Sequence, residues 1–176
     1  MNSWHDITSG TDSPNKVTAI IEVPAQSRFK YEIDKETGML QLDRTLHSAV
    51  HYPGNYGFIP QTYCDDKDPL DIILIGAEPI YPLTKCNCIP IGVIHMIDGG
   101  EQDDKIIAVL ADDPRYNQIT DISEVQEHLI TEITHFFKTY KLLRKKEVEI
   151  SGVSNAKKAK EIINESVQLY KRKFHK

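Results

Sequence analysis

The sequence contains few cysteines, and their spacing fits no common metal or redox motif. Cys64, Cys86 and Cys88 are the only three among 176 residues. No C-x-x-C pair is present, so neither a structural zinc site of the usual spacing nor a disulfide framework is expected. Free thiols are typical of proteins in a reducing compartment.

Long apolar runs and an excess of positive charge are also missing. No window approaches the ~18 consecutive apolar residues of a membrane span, and residues 1–16 lack the basic and apolar segments of a secretory signal. The formal net charge is −5, whereas nucleic-acid-binding proteins usually carry a basic face. We therefore expect a cytoplasmic protein whose partners are neither membranes nor nucleic acids.

Strand patterns occupy the first two thirds of the chain. Short apolar or alternating segments occur at 17–24, 29–33, 39–44, 71–76, 88–97 and 105–111. The turn-forming sequence KETG at 35–38 predicts a hairpin between the second and third segments, and Pro90 predicts an edge or a bulge in the fifth. Residues 1–16 are polar and are predicted to form a loosely held arm.

Helical patterns follow the strands. Apolar side chains recur every three or four residues from Val125 to Leu143, and Ser123 is the expected N-cap. A second helix is predicted over 155–174. Strands followed by helices in a chain of this length indicate one domain, 1–176, of the α+β class and mainly β. The strand count and spacing favour an OB-like β-barrel with helices packed outside it.

The segment DDKDPLD, from Asp65 to Asp71, places four aspartates directly before the apolar run IILIG. The simplest interpretation is a solvated acidic turn, but a turn needs only one or two aspartates for its own hydrogen bonds. Carboxylates this close repel one another unless a hard dication neutralises them. Oxygen ligands favour Mg²⁺, Mn²⁺ or Ca²⁺ over zinc. The segment therefore predicts a metal site.

A second acidic group, DGGEQDDK, runs from Asp98 to Lys105. Alone it is most simply a hairpin loop, but a site for two metal ions needs carboxylates from more than one loop. Several cationic and phenolic side chains would complement such a site, namely Lys30, Arg44, Tyr52, Tyr56, Tyr140 and Lys141. Each has a structural explanation when taken singly. Together they predict a site for a metal-bound polyphosphate anion.

Three stretches in register resemble the soluble family I inorganic pyrophosphatases. They are IIEVPAQSRFKYEIDKETGMLQLDR, HYPGNYGFIPQT and DDKDPLD. The last is similar to the family pattern D-[SGDN]-D-[PE]-[LIVMF]-D and departs from it only at Lys67. The resemblance runs from about Val17 to about Leu143. It implies a five-stranded OB-like barrel that hydrolyses pyrophosphate to two orthophosphates with several Mg²⁺ ions per active site, for which Mn²⁺ or Zn²⁺ would substitute.

The resemblance also implies roles for individual residues. Asp68 would be the general base, close to Tyr52. The implied metal ligands are Asp66, Asp71, Asp98, Asp103 and, through a substrate-borne ion, Glu32. The implied phosphate contacts are Lys30, Arg44, Tyr56, Tyr140 and Lys141, with Glu22, Tyr52 and Lys105 in support. Gly99 stands where the family often has an acid or amide, which leaves open how tightly an additional metal is held.

Alternative functions remain at this point. One is a metal-dependent hydrolase of another phosphoanhydride, which the sequence separates poorly from a pyrophosphatase. An OB-like module that binds oligonucleotides or oligosaccharides would need a basic groove with stacking aromatic side chains. A non-catalytic Ca²⁺-binding relative should have lost the base or the cations, which are present. The resemblance further implies a homohexamer, with the first helix as a contact.

Overall fold

The structure, a computed structural model, describes residues 2–174. Within that range the chain forms nine strands and two α-helices. In chain order these are β1 (Val17–Val23), β2 (Phe29–Ile33), β3 (Leu40–Thr45), β4 (Asn55–Phe58), β5 (Asp71–Leu74), β6 (Lys85–Asp98), β7 (Glu101–Gln102), β8 (Lys105–Leu110), α1 (Glu127–Thr139), β9 (Val148–Asn155) and α2 (Ala156–Phe174).

Five of these strands close into a barrel. The order is β1, β4, β5, β8 and β6, and β6 pairs back with β1. Every neighbouring pair is antiparallel except β5 and β8, which run parallel. The predicted five-stranded OB-like barrel is confirmed. At Pro90 the register between β6 and β8 shifts, which is the predicted bulge.

Three further pieces of sheet lie outside the closed ring, the smallest being β7, which pairs with the end of β6. β2 and β3 form a separate two-stranded hairpin, as the turn sequence predicted. β9 pairs with the long strand β6, whose far end extends past the barrel. The hairpin carries charged side chains to one side of the barrel, where the candidate site lies.

The apolar core has two layers, one on each side of the barrel wall. One layer packs against α1 through Phe136 and Phe137. The other packs against α2 through Ala159 and Ile163. Branched aliphatic residues of the strands fill the space between the two helices. Such close packing holds the strands in place, including the ends that carry polar side chains. No helix among the described residues is long and apolar enough to cross a membrane.

The sequence prediction missed strand β4. None of the predicted strand segments includes Tyr56, because proline and glycines surround it. In the structure Tyr56 lies on β4 and is buried. The glycine at position 57 allows β1 to approach closely, since a Cβ there would lie 1.9 Å from the Ile20 carbonyl oxygen. A residue that usually weakens a strand is here required by its neighbour.

The helical region also differs from the prediction. Ser123 is not the N-cap of the long helix. Asp121 caps a 3₁₀ turn, Ile122–Glu124, and Glu124 completes a capping box. α1 begins only at Glu127, because Val125 is in an extended conformation. α1 ends at Thr139, so Tyr140 and Lys141 follow the helix rather than lying within it. Strand β9, between the two helices, was not predicted.

The N-terminal segment contacts the barrel at one point in particular. Trp4 is buried and packs with Phe58, Ile20 and Tyr170 in a small third cluster. Met1 lies outside the described residues. That the rest of the segment 1–16 is loosely held, and that the chain is a single domain, stay predictions.

Candidate active site

The two acidic segments meet because β5 and β8 run parallel. Asp71 is paired with Lys105 at the start of the two strands. Asp103 lies two residues before Lys105, so its carboxylate reaches the same end of the sheet. The Lys105 ammonium forms ion pairs with both Asp71 and Asp103. This parallel pairing brings together loops that are about thirty residues apart in the chain.

Lys105 is the most deeply buried charged side chain at this place, at 2% exposure. Burial by itself lowers the pKa of Lys105, but the adjacent Asp71 and Asp103 carboxylates outweigh it and hold the pKa above its ordinary value. The ammonium therefore stays charged and partly offsets the repulsion between the two carboxylates.

Tyr56 and Asp66 complete this end of the barrel. The Tyr56 hydroxyl donates a hydrogen bond of 2.5 Å to Asp71 Oδ2. Burial raises the pKa of Tyr56 well above its ordinary value, so the phenol is neutral and acts as a donor. Burial and then the charge of Asp71 raise the pKa of Asp66 to about 6. Carboxylates are thus crowded here beyond what one lysine neutralises.

The hairpin of β2 and β3 contributes cations on the opposite side. Lys30 and Arg44 are directly paired across the two strands. A bulge beside this pair leaves Asp43 without a partner across the strand, and its Oδ2 atom lies 2.6 Å from Arg44 Nε and 3.4 Å from Lys30 Nζ. Lys30 also forms an ion pair with Glu32. Two cations are therefore held side by side by two carboxylates.

A third group enters from the end of α1. Lys141 forms an ion pair with Asp98, the last residue of β6. Burial lowers the pKa of Lys141, and Asp98 acts against that shift. The Lys141 ammonium lies 5.2 Å from the centre of the Tyr140 ring. The turn after Asp98 contains Gly99 at φ +60°, with nothing within 4 Å of a Cβ built there, so the turn faces open space.

Glu22 lies beneath the hairpin and is 8% exposed. Its Oε1 accepts a 2.8 Å hydrogen bond from the backbone N–H of Ile33. Burial raises the pKa of Glu22 to about 8, with a smaller contribution in the same direction from Asp71. This carboxyl ties β1 to β2.

These groups line one cavity of about 270 Å³. Its wall contains thirteen of the fourteen predicted site residues, namely Glu22, Lys30, Glu32, Arg44, Tyr56, Asp66, Asp68, Asp71, Asp98, Asp103, Lys105, Tyr140 and Lys141. The exception is Tyr52, which does not line the cavity. It is buried in the core, with its ring 5.3 Å from that of Tyr56 and 4.8 Å from that of Phe136.

The cavity wall also includes residues that the sequence did not single out. Asn2, Ser3, Trp4 and Lys35 belong to it. Lys35 lies in the hairpin turn three residues after Glu32, a local signal that could have been used. Trp4 offered none, because its contact with the cavity depends on how the N-terminal segment crosses the barrel.

The arrangement has the chemistry of a site for metal ions and an anion, with carboxylates towards the barrel and cations towards the hairpin and the end of α1. Among residues 2–174, no group of three or more His, Cys, Asp or Glu side chains is already arranged to hold a metal ion. Instead, each cationic side chain of the cavity is paired with a carboxylate.

A sequence model of the inorganic pyrophosphatase family matches residues 19–171. The chain belongs to the inorganic pyrophosphatase family. Two curated members are each 46% identical to it: soluble inorganic pyrophosphatase 2 of Chlamydomonas reinhardtii, with 97% of this chain and 89% of the relative covered, and the soluble inorganic pyrophosphatase of Zea mays, with 95% and 78% covered. The resemblance drawn from the sequence motifs is thereby confirmed.

Solved structures of the family share the fold. The inorganic pyrophosphatase of Thermus thermophilus superposes with a TM-score of 0.93 at 38% identity, with 97% of this chain and 99% of that chain covered. The inorganic pyrophosphatase of Helicobacter pylori gives a TM-score of 0.89 at 33% identity, with 94% and 99% covered. The overall fold is thus shared with solved inorganic pyrophosphatases.

Proposed function

We propose that this chain hydrolyses inorganic pyrophosphate to two orthophosphates in the cavity beside β5 and β8, with Mg²⁺ as the metal. The observation that carries the proposal is the convergence of both acidic segments with the hairpin cations in one cavity of a chain that belongs to the inorganic pyrophosphatase family.

The residues present fit a hard divalent cation. Asp66, Asp71 and Asp103 offer only oxygen donors, which suits Mg²⁺ and also Mn²⁺. Burial and then the neighbouring Asp71 carboxylate raise the pKa of Asp66 to about 6, and a bound cation would favour its charged form. These three carboxylates would hold the tightest ions, with Asp98 and Glu32 completing further positions. When bound, the metal supplies charge neutralisation and a lowered pKa for a water molecule.

Asp68 is the proposed general base. It lies in the loop before β5, where its backbone N–H donates a 3.0 Å hydrogen bond to Asp66 Oδ1. This bond ties the position of Asp68 to that of a proposed metal ligand. A carboxylate at the cavity wall accepts the proton of an attacking water within hydrogen-bond reach.

Cationic side chains and tyrosines would bind the phosphate groups. Lys30, Arg44 and Lys141 face the cavity from the hairpin and from the end of α1. In the structure they are paired with carboxylates, and a phosphate oxygen would take the place of those partners. Guanidinium and ammonium groups form charge-assisted hydrogen bonds to phosphate. Tyr56 and Tyr140 would donate from buried phenols, while Glu22 and Lys105 support the barrel side.

Three further properties stay proposals, of which the first and third rest on the family resemblance and the second on sequence composition. These are a homohexamer with α1 at a contact, a cytoplasmic location, and Mn²⁺ or Zn²⁺ as substitutes for Mg²⁺. Size-exclusion chromatography with light scattering tests the first, because a hexamer has six times the 20.1 kDa mass of the chain.

The direct test is release of orthophosphate from pyrophosphate by the purified chain, with and without Mg²⁺. An equal concentration of ATP is the control for other phosphoanhydrides. We expect phosphate release from pyrophosphate only with a divalent metal, and little release from ATP. Equal rates with both substrates would instead support a broader phosphoanhydride hydrolase.

A further inference from the structure

The first residues of the described chain form part of the cavity wall. Asn2, Ser3 and Trp4 line the cavity beside Lys35. None of the four has a role in the proposed function. Their contacts connect the N-terminal segment to the Asp68 side chain through Lys35.

Trp4 is fixed at both its ring and its backbone. Its indole N–H donates a 2.9 Å hydrogen bond to the Thr62 carbonyl oxygen, and its own carbonyl accepts one of 2.9 Å from Gln61 N–H. The ring meets Phe174 edge-on with 5.5 Å between centroids. With only 8% of its surface exposed, the indole is a rigid part of the wall.

Lys35 lies between this wall and Asp68. Its ammonium is 5.3 Å from the centre of the Trp4 ring and forms an ion pair with Asp68. Its backbone is tied to the same segment, because Asn2 Nδ2 donates a 2.8 Å hydrogen bond to the Lys35 carbonyl oxygen. Asp34 fixes the turn that carries Lys35, with its Oδ1 accepting from the N–H of Thr37 at 2.6 Å.

Asp68 has a single cationic partner in the described part of the chain, and that partner is Lys35. The other cations of the cavity are paired with different carboxylates, such as Asp71, Asp98 and Glu32. Among the described residues, no other side chain forms a hydrogen bond or ion pair with the Asp68 carboxylate. The hydrogen bond from the Asp68 backbone N–H to Asp66 restrains only the backbone.

We propose that Lys35 is a positioning residue for the Asp68 carboxylate and that Trp4 fixes the position of Lys35. This inference rests on the proposed function, in which Asp68 is the base. The contact of a lysine ammonium with an aromatic face limits the freedom of a long side chain. The expected effect is modest, because the Lys35 and Asp68 side chains are 43% and 52% exposed and water screens such pairs.

The test is a double-mutant cycle on pyrophosphate hydrolysis with Mg²⁺. Lys35→Met keeps the length of the side chain and removes its charge. We expect it to lower kcat about three- to fivefold with KM almost unchanged, which corresponds to an exposed ion pair. Lys35→Arg should restore most of the rate. Lys67→Met, next to Asp68 in the acidic loop but outside the cavity wall, is the matched control and should leave kcat unchanged.

The second arm of the cycle uses Asp68→Asn. If Lys35 acts through Asp68, then Lys35→Met has almost no further effect on the residual rate of Asp68→Asn, because the two changes are not additive. The same three- to fivefold loss in both backgrounds would overturn the inference. A raised KM with kcat unchanged would also overturn it, because Lys35 would then bind substrate directly.

Trp4 provides an independent readout because it is the only tryptophan in the chain. Tryptophan emission is measured while magnesium methylenediphosphonate, a non-hydrolysable analogue of pyrophosphate, is added. We expect a change in the unaltered chain and a much smaller change in Lys35→Met. An equal change in both, or none in the unaltered chain, would overturn the link between Trp4 and Lys35.

Failure of the proposed function gives a different pattern. An unaltered chain that does not hydrolyse pyrophosphate would refute the function before the cycle begins. In a chain that does hydrolyse pyrophosphate, the same loss in both backgrounds would refute the positioning role alone.

Discussion

The two sides of the cavity are built by different parts of the fold. The barrel side places Lys105, at 2% exposure, between Asp71 and Asp103 at the ends of paired strands. The hairpin side presents Lys30 and Arg44 from a two-stranded sheet outside the barrel, where Glu32 is 38% exposed. Asp71 and Asp103 are 22% and 15% exposed, close to the 16% and 24% of Lys30 and Arg44. The two sides therefore differ in the fully buried lysine and in the closed sheet that carries it.

This difference suggests a division of roles. On the barrel side several carboxylates share one lysine, so an excess of negative charge remains that a divalent cation would neutralise. On the hairpin side the cations are paired with carboxylates whose place a phosphate could take. We infer that the barrel side binds metal and that the hairpin side, with Lys141, binds substrate.

The largest expected effect is at Asp68, which lies in the loop leading into the barrel. Asp68→Asn should lower kcat by about a hundred- to ten-thousandfold, the usual contribution of a general base. Steady-state kinetics measure this, and the melting temperature should barely change because the side chain is exposed. Asp65→Asn, in the same loop but outside the cavity wall, serves as the control. Full activity of Asp68→Asn would remove Asp68 from the mechanism.

The next effect concerns the stability of the barrel side. Lys105→Met leaves Asp71 and Asp103 facing each other without their shared cation. Removing one partner of a buried ion pair typically costs about 3–5 kcal/mol in the free energy of unfolding. Urea denaturation without divalent metal measures it. Lys85→Met, an exposed lysine on β6, should change the free energy by less than about 0.5 kcal/mol. Similar values for both variants would contradict a buried charge cluster.

Substrate affinity is the property that should respond on the hairpin side. Arg44→Gln removes a cation from the cavity, and KM should rise about tenfold, since a hydrogen bond to a charged group contributes about 1.5–3 kcal/mol. The free energy of unfolding should remain almost unchanged. Arg115→Gln, whose side chain is 58% exposed, controls for the loss of a surface guanidinium. A KM equal to that of the unaltered chain would leave Arg44 without a role in binding.

The last effect is a pH dependence at the junction of the two sides, which is spread over several pH units. Burial raises the pKa of folded Glu22 to about 8, from an ordinary value of 4.5. Between these pH values the folded chain holds a proton that the unfolded chain has lost. The free energy of unfolding therefore falls as the pH rises, by at most about 1.4 kcal/mol per pH unit.

Glu22→Gln can still accept the hydrogen bond from Ile33 but cannot ionise. The metal-free variant should lack this part of the pH dependence and gain stability over the unaltered chain as the pH approaches 8. Chemical denaturation at several pH values compares the two. Parallel curves would mean that Glu22 is not buried as a neutral acid.

The sequence predicted local features of the site better than long-range ones. The crowding of Asp65 to Asp71 before an apolar strand and the spacing within the second acidic segment are short-range patterns, and both segments line the cavity. That the two would meet depends on the parallel pairing of β5 with β8. Parallel partners are distant in sequence, and neither composition nor periodicity specifies them.

Other differences have similar causes. β4 was missed because it contains Gly57, and glycine is typical of loops. The close approach of β1 requires this glycine. Tyr52 does not line the cavity and packs in the core against Phe136, and its expected place near Asp68 stays a prediction of the family resemblance. Trp4 joins the cavity wall through contacts with Thr62 and Phe174, which are far from it in the chain and leave no local pattern.

Calorimetric titration of Mg²⁺ without substrate tests the division of roles most directly. It compares the unaltered chain with Asp103→Asn on the barrel side and Arg44→Gln on the hairpin side. We predict that Asp103→Asn weakens Mg²⁺ binding about tenfold or more, because a coordinating oxygen charge is lost, while Arg44→Gln leaves it within about twofold. Equal weakening by both variants, or the same affinity in all three proteins, would contradict the account.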